Sequence, residues 1–330
     1  MDLLGALDVL VRVTETGSFS AVAREREVSQ AAVARQISQL EAHFGVRVFH
    51  RTTRKLSLTG DGEILLRYAR PIIEGVECME AALGRQSSSP VGLVRVGLPV
   101  AAGHFLSTRL PALLADHPGL KVELVVSDRF GDLVEERLDL AMRGGDITDA
   151  SLVKRAIGTV PRAAVASPDY LARRGVPSRP TDLADHTCLI HDIGAAPELW
   201  SFTTPQGTEE IRVSGGFRAN DSVSVLLAAR AGYGIAYLAE VQVFDDLRSG
   251  TLVRALGDFP DPGLPLCLVY PSRRHLAPRT RLVMDFIAAQ IEQAREVVAA
   301  ARNGAALEQD IAPPVNAMLR ESRKVAKPAA

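Results

Sequence analysis

The chain has 330 residues, 47% of them hydrophobic, and 38 basic side chains against 39 acidic ones give a formal net charge of −1. That length exceeds one average domain, and the near-neutral balance excludes a uniformly basic coat, so any nucleic-acid role must rest on a local patch. No run approaches the roughly eighteen apolar residues of a membrane span, no export signal opens the chain, and Cys78, Cys188 and Cys267 lie too far apart in sequence for a disulfide framework, which fits a reducing cytoplasm.

Leu3, Leu7 and Leu10 have the spacing of a support helix that Gly17 would end. Ser18 then caps a short helix whose buried side is Phe19, Val22 and Ala23, and Ser29 caps a second one. In that second helix Val33, Ile37, Leu40 and Phe44 form one apolar stripe, while Ala31, Arg35 and Ser38 fall opposite. The outward face has the chemistry of a groove reader, with DNA contacts expected from Ser29 onward: Gln30 suits adenine, Arg35 suits guanine or phosphate, and small Ala31 and Ala34 admit a close backbone approach. Val46–Phe49 and Leu56–Leu58 read as two strands around a basic turn with Arg47, Arg51, Arg54 and Lys55. A basic run alone is ordinarily solvated surface, but beside two such helices Arg51, Thr53 and Arg54 are expected on phosphates. The unit reads as a winged helix-turn-helix.

After Thr59 a long helix is expected. Leu65, Ala69, Ile72, Val76, Met79 and Leu83 alternate four- and three-residue steps, the seam of a coiled coil and hence of a dimer; the other reading is a face buried on the same chain. Pro71 should kink this helix, and Ser87–Pro90 reads as a hinge. Beyond it, apolar runs at Leu93–Leu98, Val122–Val126, Leu138–Met142, Ala163–Ala166, Ile235–Leu238 and Cys267–Tyr270 alternate with helical stretches at Phe105–Ala115 and Ser222–Ala231, an α/β pattern. Past Glu296 the chain turns Ala-rich, then Pro-rich, and a frayed helix followed by disorder is expected.

Gly17, Ser18, Phe19, Ala23, Val28, Ser29, Gln30, Arg35, Gln36, Ile37, Leu40, Glu41, Gly45, Val46, Phe49, Arg51, Leu58, Thr59 and Gly62, in this order, resemble the DNA-binding part of the LysR-type transcriptional regulators. Leu138–Arg143, Ala166–Leu171 and Ala231–Ala236 resemble segments of the family's effector domain, a two-lobed α/β fold similar to type 2 periplasmic binding proteins. The resemblance implies a winged helix-turn-helix over 1–59, a linker helix over 60–86, a hinge over 87–92, an effector domain over 93–295 and a tail over 296–330. Lobe 1 would hold 93–161 and 267–295, and lobe 2 would hold 162–266. It also implies a cytoplasmic homodimer or homotetramer on double-stranded operator DNA of two-fold symmetry, with a small-molecule effector between the lobes and RNA polymerase as a further partner. Ala31, Ala34 and Arg26 depart from the frequent proline, serine and core leucine; Arg26 would loosen its turn or reach a phosphate.

Ligands in open α/β sheets sit at strand C-termini facing helix N-termini. That places candidate effector contacts at Pro99, Val100, Ala101 and His104, where related regulators often carry a hydroxyl for an effector carboxylate and this chain has alanine. Arg143 and Gly145 in lobe 1 and Asn220 and Asp221 in lobe 2 are further candidates, with salt bridging and helix capping as their ordinary alternatives. His186-x-Cys188-x-x-His191 offers only three ligands, so no metal and no cofactor is expected, and no nucleophile elbow, Walker sequence or dinucleotide fingerprint points to an enzyme. A solute receptor would suit the last two hundred residues or so but not the DNA-binding unit before them.

Overall fold

A computed structural model describes residues 1–302 except 51–55, 83–89, 130, 134, 146, 194–195 and 272–275. Contacts group residues 1–94 with 117–122 and 272–283, and group 95–116 and 123–271 with the chain from Met284 on.

In the first unit, α1 (Leu3–Thr16) is capped by Asp2, whose carboxylate accepts from the Gly5 amide at 3.0 Å, and ends at Gly17 with φ 66°. The left-handed conformation suits glycine, which has no Cβ to clash. Helices α2 (Phe19–Glu25) and α3 (Gln30–Phe44) start at Ser18 and Ser29, whose hydroxyls accept from the amides of Ala21 and Ala32, each at 3.2 Å. Leu7, Leu10, Val13, Val22, Val33, Ile37 and Leu40 share one core, and burying each such side chain stabilises by about 1.5–3 kcal/mol. Leu3 stays exposed. Phe44, expected to continue the stripe, is 44% exposed: it ends α3 beyond the last covered turn, and its ring stands edge-to-face with His43 at a centroid distance of 4.8 Å.

Arg26 does not loosen its turn. It caps the C-terminus of α2 and pairs with Asp8 on α1, so it fastens the turn. Arg12, almost buried, holds Glu25 through two bonds of 2.8 Å and also pairs with Glu15. The wing survives as an antiparallel bridge between Phe49 and Leu58, flanked by the His50 amide on the Ser57 carbonyl and the Thr59 amide on the Val48 carbonyl, each 2.9 Å; its turn lies outside the described residues. Arg47 pairs with Glu41 at 3.0 Å.

The linker helix α4 (Gly60–Ala82) carries Pro71 in its interior. Thr59 caps it, accepting from the Gly62 amide at 3.0 Å. The expected seam divides. Ala69, 1% exposed, belongs to the core of its own chain and Leu65 packs against that core, because α1 lies along this face. Val76 is half-buried, whereas Ile72 and Met79 are exposed together with Ile64 and Tyr68; Leu83 lies outside the described residues. The free apolar face is thus turned toward Ile64, Tyr68, Ile72 and Met79.

Among the described residues the rest of the chain builds two five-stranded sheets and a hairpin. The first sheet has the order β2 (Leu120–Val126), β1 (Gly92–Leu98), β3 (Leu140–Gly144), β12 (Leu264–Pro271), β4 (Leu152–Val160). The second has the order β11 (Val253–Arg254), β5 (Arg162–Ala166), β10 (Ile235–Ala239), β6 (Cys188–His191), β9 (Phe217–Ala219). The hairpin is β7 (Leu199–Thr204) with β8 (Gly207–Arg212). The chain crosses from the first sheet to the second between Val160 and Arg162 and returns with β12 at Leu264, next to Pro265, where the sequence suggests a return crossing. The stretch read as one helix over Phe105–Ala115 is two, α5 (Val100–Ser107) and α6 (Leu110–Asp116), since Pro111 has no amide to continue α5 and its ring would clash with the preceding turn. Among the described residues, helices α7 (Pro168–Arg174), α8 (Ser222–Arg230), α9 (Glu240–Ser249) and α10 (Pro278–Arg302) and a 3-10 turn at Pro180–Asp185 follow.

Candidate DNA-binding surface and effector cleft

Two faces of α3 separate cleanly. Val33, Ile37 and Leu40 are buried, while Gln30, Ala31, Ala34, Arg35 and Ser38 are all exposed along the opposite side. Ser29 is exposed but committed to capping, which leaves its hydroxyl oriented along the helix start. Glu41 accepts from the Val48 amide at 2.8 Å, fixing the wing strand to the end of α3. Arg51, Thr53 and Arg54 lie outside the described residues.

The candidate effector residues converge only in part. The Val100 amide, at the start of α5, donates to Asp128 Oδ1 at 2.8 Å. Asp128 Oδ2 accepts from the Ser222 amide, first in α8, at 2.8 Å and faces His191 Nε2 at 3.1 Å. One carboxylate just past β2 therefore joins the helix N-termini of both lobes and the end of β6. Burial would push this carboxyl up, but the bonds from His191, Val100 and Ser222 outweigh it and hold it below the ordinary 3.8. Close by, Arg129 donates to the carbonyl and carboxylate of Asp192, each at 3.0 Å, and Arg218 reaches the same carboxylate at 3.2 Å.

Of the expected contacts, Pro99 and Ala101 flank Val100 half-buried, and His104 is exposed on α5. Arg143 instead donates to the Gly131 carbonyl at 2.9 Å, within its own lobe. Gly145, at φ 83°, donates its amide to the Pro265 carbonyl at 2.8 Å. Asp221 caps α8 by accepting from the Ser224 amide at 2.8 Å, and Asn220 is exposed. Sequence reasoning missed Asp128 and Ser222 as a joined pair. The available signal was an acid placed at the carboxyl end of a sheet strand, which is where the ligand rule points.

The LysR substrate binding domain family matches residues 87–292, and the lysR family of bacterial regulatory helix-turn-helix proteins matches residues 4–63. The chain belongs to the LysR family of transcriptional regulators. This LysR-type regulator is 31% identical over 288 residues to the HTH-type transcriptional regulator CrgA of Neisseria meningitidis, covering 86% of its own length and 96% of that protein. It is 29% identical over 287 residues to the HTH-type transcriptional activator AaeR of Escherichia coli, covering 86% and 93%. The solved structure of CrgA matches with a TM-score of 0.57 at 29% identity, over 87% of this chain and 98% of that one.

Elsewhere in the regulator, a cavity of about 530 Å³ is bordered by Arg162, Tyr237, Glu240, Phe244 and Arg254. None of the expected effector residues lines it, and two of its arginines are paired, Arg162 with Asp261 and Arg254 with Glu240. The His186, Cys188 and His191 triplet is dispersed. His186 Nδ1 meets the Tyr170 hydroxyl at 3.2 Å, His191 faces Asp128, and Cys188 is buried with its thiol pushed up to about 12 by desolvation. Cys188 and Cys267 sit in different sheets and are both free; no group of metal-ligating side chains gathers among the described residues. No described helix is long and apolar enough to cross a membrane.

Proposed function

We propose that this regulator acts as a cytoplasmic homodimer, or a tetramer of paired dimers, on an operator of two-fold symmetry. Each α3 would lie in a major groove, and a small-molecule effector would bind without turnover between lobe 1 (93–161 and 267–295) and lobe 2 (162–266). The observation that carries the reading is α3 itself: an exposed row of Gln30, Ala31, Ala34, Arg35 and Ser38 opposite a buried apolar stripe has the side chains of base readout with nothing bulky to hold the backbone away. Arg51, Thr53 and Arg54 of the wing would supply phosphate contacts. Pro99, Val100, Ala101, His104, Arg143, Gly145, Asn220 and Asp221 remain the candidate surroundings of the effector, with RNA polymerase as a further partner at the promoter.

Arg35→Ala and Gln30→Ala should each cost roughly 1–3 kcal/mol in operator affinity, about ten- to a hundredfold, with random DNA affected less. Fluorescence anisotropy on both DNAs measures this. Wild-type operator affinity in both variants would remove α3 from the groove.

The dimer seam is proposed on the exposed face of α4. Ile72, 47% exposed in the single chain, would face its symmetry mate or a near neighbour across a two-fold axis, so Ile72→Glu would place two charges there without partners. Sedimentation equilibrium should show the dimer weakened at least about tenfold, which is some 1.4 kcal/mol. Since Ile72 is not part of the chain's own core, folding should be retained; an unchanged dimer would place the seam elsewhere.

A further inference from the structure

We propose that Asp128 is a built-in occupant of a carboxylate site between the two lobes. In the wild-type chain that position is closed to free acids, and the chain's own carboxylate fastens lobe 1 to lobe 2. The inference deepens the effector-cleft reading and rests on it only for its regulatory meaning.

Three donors from three elements converge on one side chain: the Val100 amide opening α5, the Ser222 amide opening α8, and His191 Nε2 at the end of β6. The Asp128 side chain is 4% exposed, so water contributes little to satisfying it. A carboxylate can only accept, hence His191 presents Nε2–H to it, and both carboxylate oxygens are engaged. Two helix N-termini aimed at one point form an environment for an anion. It is already filled, and a second carboxylate at the same place would meet a like charge. Val100 and Asp128 belong to lobe 1 and His191 and Ser222 to lobe 2, so the carboxylate is also a tie across the cleft. An effector that opens or reorients the lobes must act against it.

The test uses the full-length chain as wild type, Asp128→Ala and Asp128→Asn, at neutral pH, with sodium acetate or sodium chloride at equal ionic strength. The readouts are the unfolding midpoint and amide hydrogen exchange in the segments holding Val100 and Ser222. Asp128→Ala should lower the midpoint by about 5 °C or more and lose protection in both segments together. Acetate at about 0.1 M, but not chloride, should restore part of both losses by binding the vacated place. Asp128→Asn should lose protection too yet gain nothing from acetate, because its side chain still fills the space, and the wild type should not respond. Equal acetate responses in all three proteins, no response in any, or unchanged protection in Asp128→Ala would overturn the proposal. Should Asp128→Ala fail to fold, retained protection at Val100 and Ser222 in Asp128→Asn overturns it equally. A fault in the DNA-binding reading would show instead as operator affinity indifferent to α3 substitutions, which none of these measurements touches.

Discussion

Gly62→Ala should destabilise the N-terminal unit by about 2–3 kcal/mol, as expected of overpacking against a part that cannot move aside, and should abolish tight operator binding. A Cβ at this position would overlap the Val48 carbonyl oxygen, lie 3.0 Å from the Val48 carbonyl carbon and 3.1 Å from Leu58 Cδ2. The obstacle is backbone. Val48 is held in turn by its amide bond to Glu41 and by the Thr59 amide on its carbonyl, so neither α4 nor the wing strand yields without breaking the joint between them. The sign of the effect is what makes the case testable, since glycine to alanine inside a helix ordinarily gains up to about 1 kcal/mol. Gly75, on the same helix with open space where its Cβ would stand, is the control, and Gly75→Ala should stabilise. Denaturant unfolding of both variants decides; a Gly62→Ala protein as stable as the Gly75→Ala one would show that the wing is free to shift.

Asp261→Ala should cost about 3 kcal/mol or more in the second lobe, the loss expected when one partner of a buried ion pair is removed. The Asp261 side chain is 0% exposed and pairs with Arg162 Nε at 2.9 Å. It also accepts the Tyr237 hydroxyl and, at 2.7 Å, the Gly263 amide. Tyr237 stacks on Trp200 at 5.1 Å between centroids, with the Arg162 guanidinium 4.4 Å from its ring centre. Burial pushes the Tyr237 hydroxyl well above the ordinary tyrosine range, so it stays protonated and needs an acceptor. Asp261→Asn, whose one oxygen can still accept from Arg162 and Tyr237 though not also from the Gly263 amide, should lose less. Near-UV circular dichroism of Trp200 during thermal unfolding reports on this cluster, and equal midpoints for wild type and Asp261→Ala would assign the network no role in stability.

Much of the DNA-binding unit was legible because its signals are local. Ser18, Ser29, Gly17 and the Val33, Ile37, Leu40 stripe each act within a turn or two of helix, and the structure puts them to the expected use. Misreadings arose where a distant element decides the outcome. Ala69 has the spacing of a dimer seam, but α1 claims that face; Arg26, at the place of a usual core leucine, pairs with Asp8 of α1, eighteen positions back. The β7–β8 hairpin went unread although Trp200 and Phe202 alternate with more exposed residues, since a strand of six residues gives only a brief period-two pattern. In the cleft, capping and ligand binding call for the same residue types, so Asp221 could not be assigned from sequence. Asp128 was hidden by separation: His191 follows it by 63 positions and Ser222 by 94, and no short motif spans such distances.

The order of strands has a consequence for synthesis on the ribosome. Strand β12 lies between β3 and β4 in the first sheet but is made last. Until it emerges, β3 and β4 each present an unpaired edge that invites wrong partners, whereas every strand of the second sheet, from β5 to β11, has already been made. Translation from β4 to β12 covers about a hundred residues, or about 5–20 s at ordinary elongation rates. The second lobe is therefore expected to mature first, and the nascent first lobe is the stretch that a chaperone would have to guard. Chains stalled before Leu264 should resist protease across the second lobe while being cut at β3 and β4; resistance at both would show that the first sheet closes without β12.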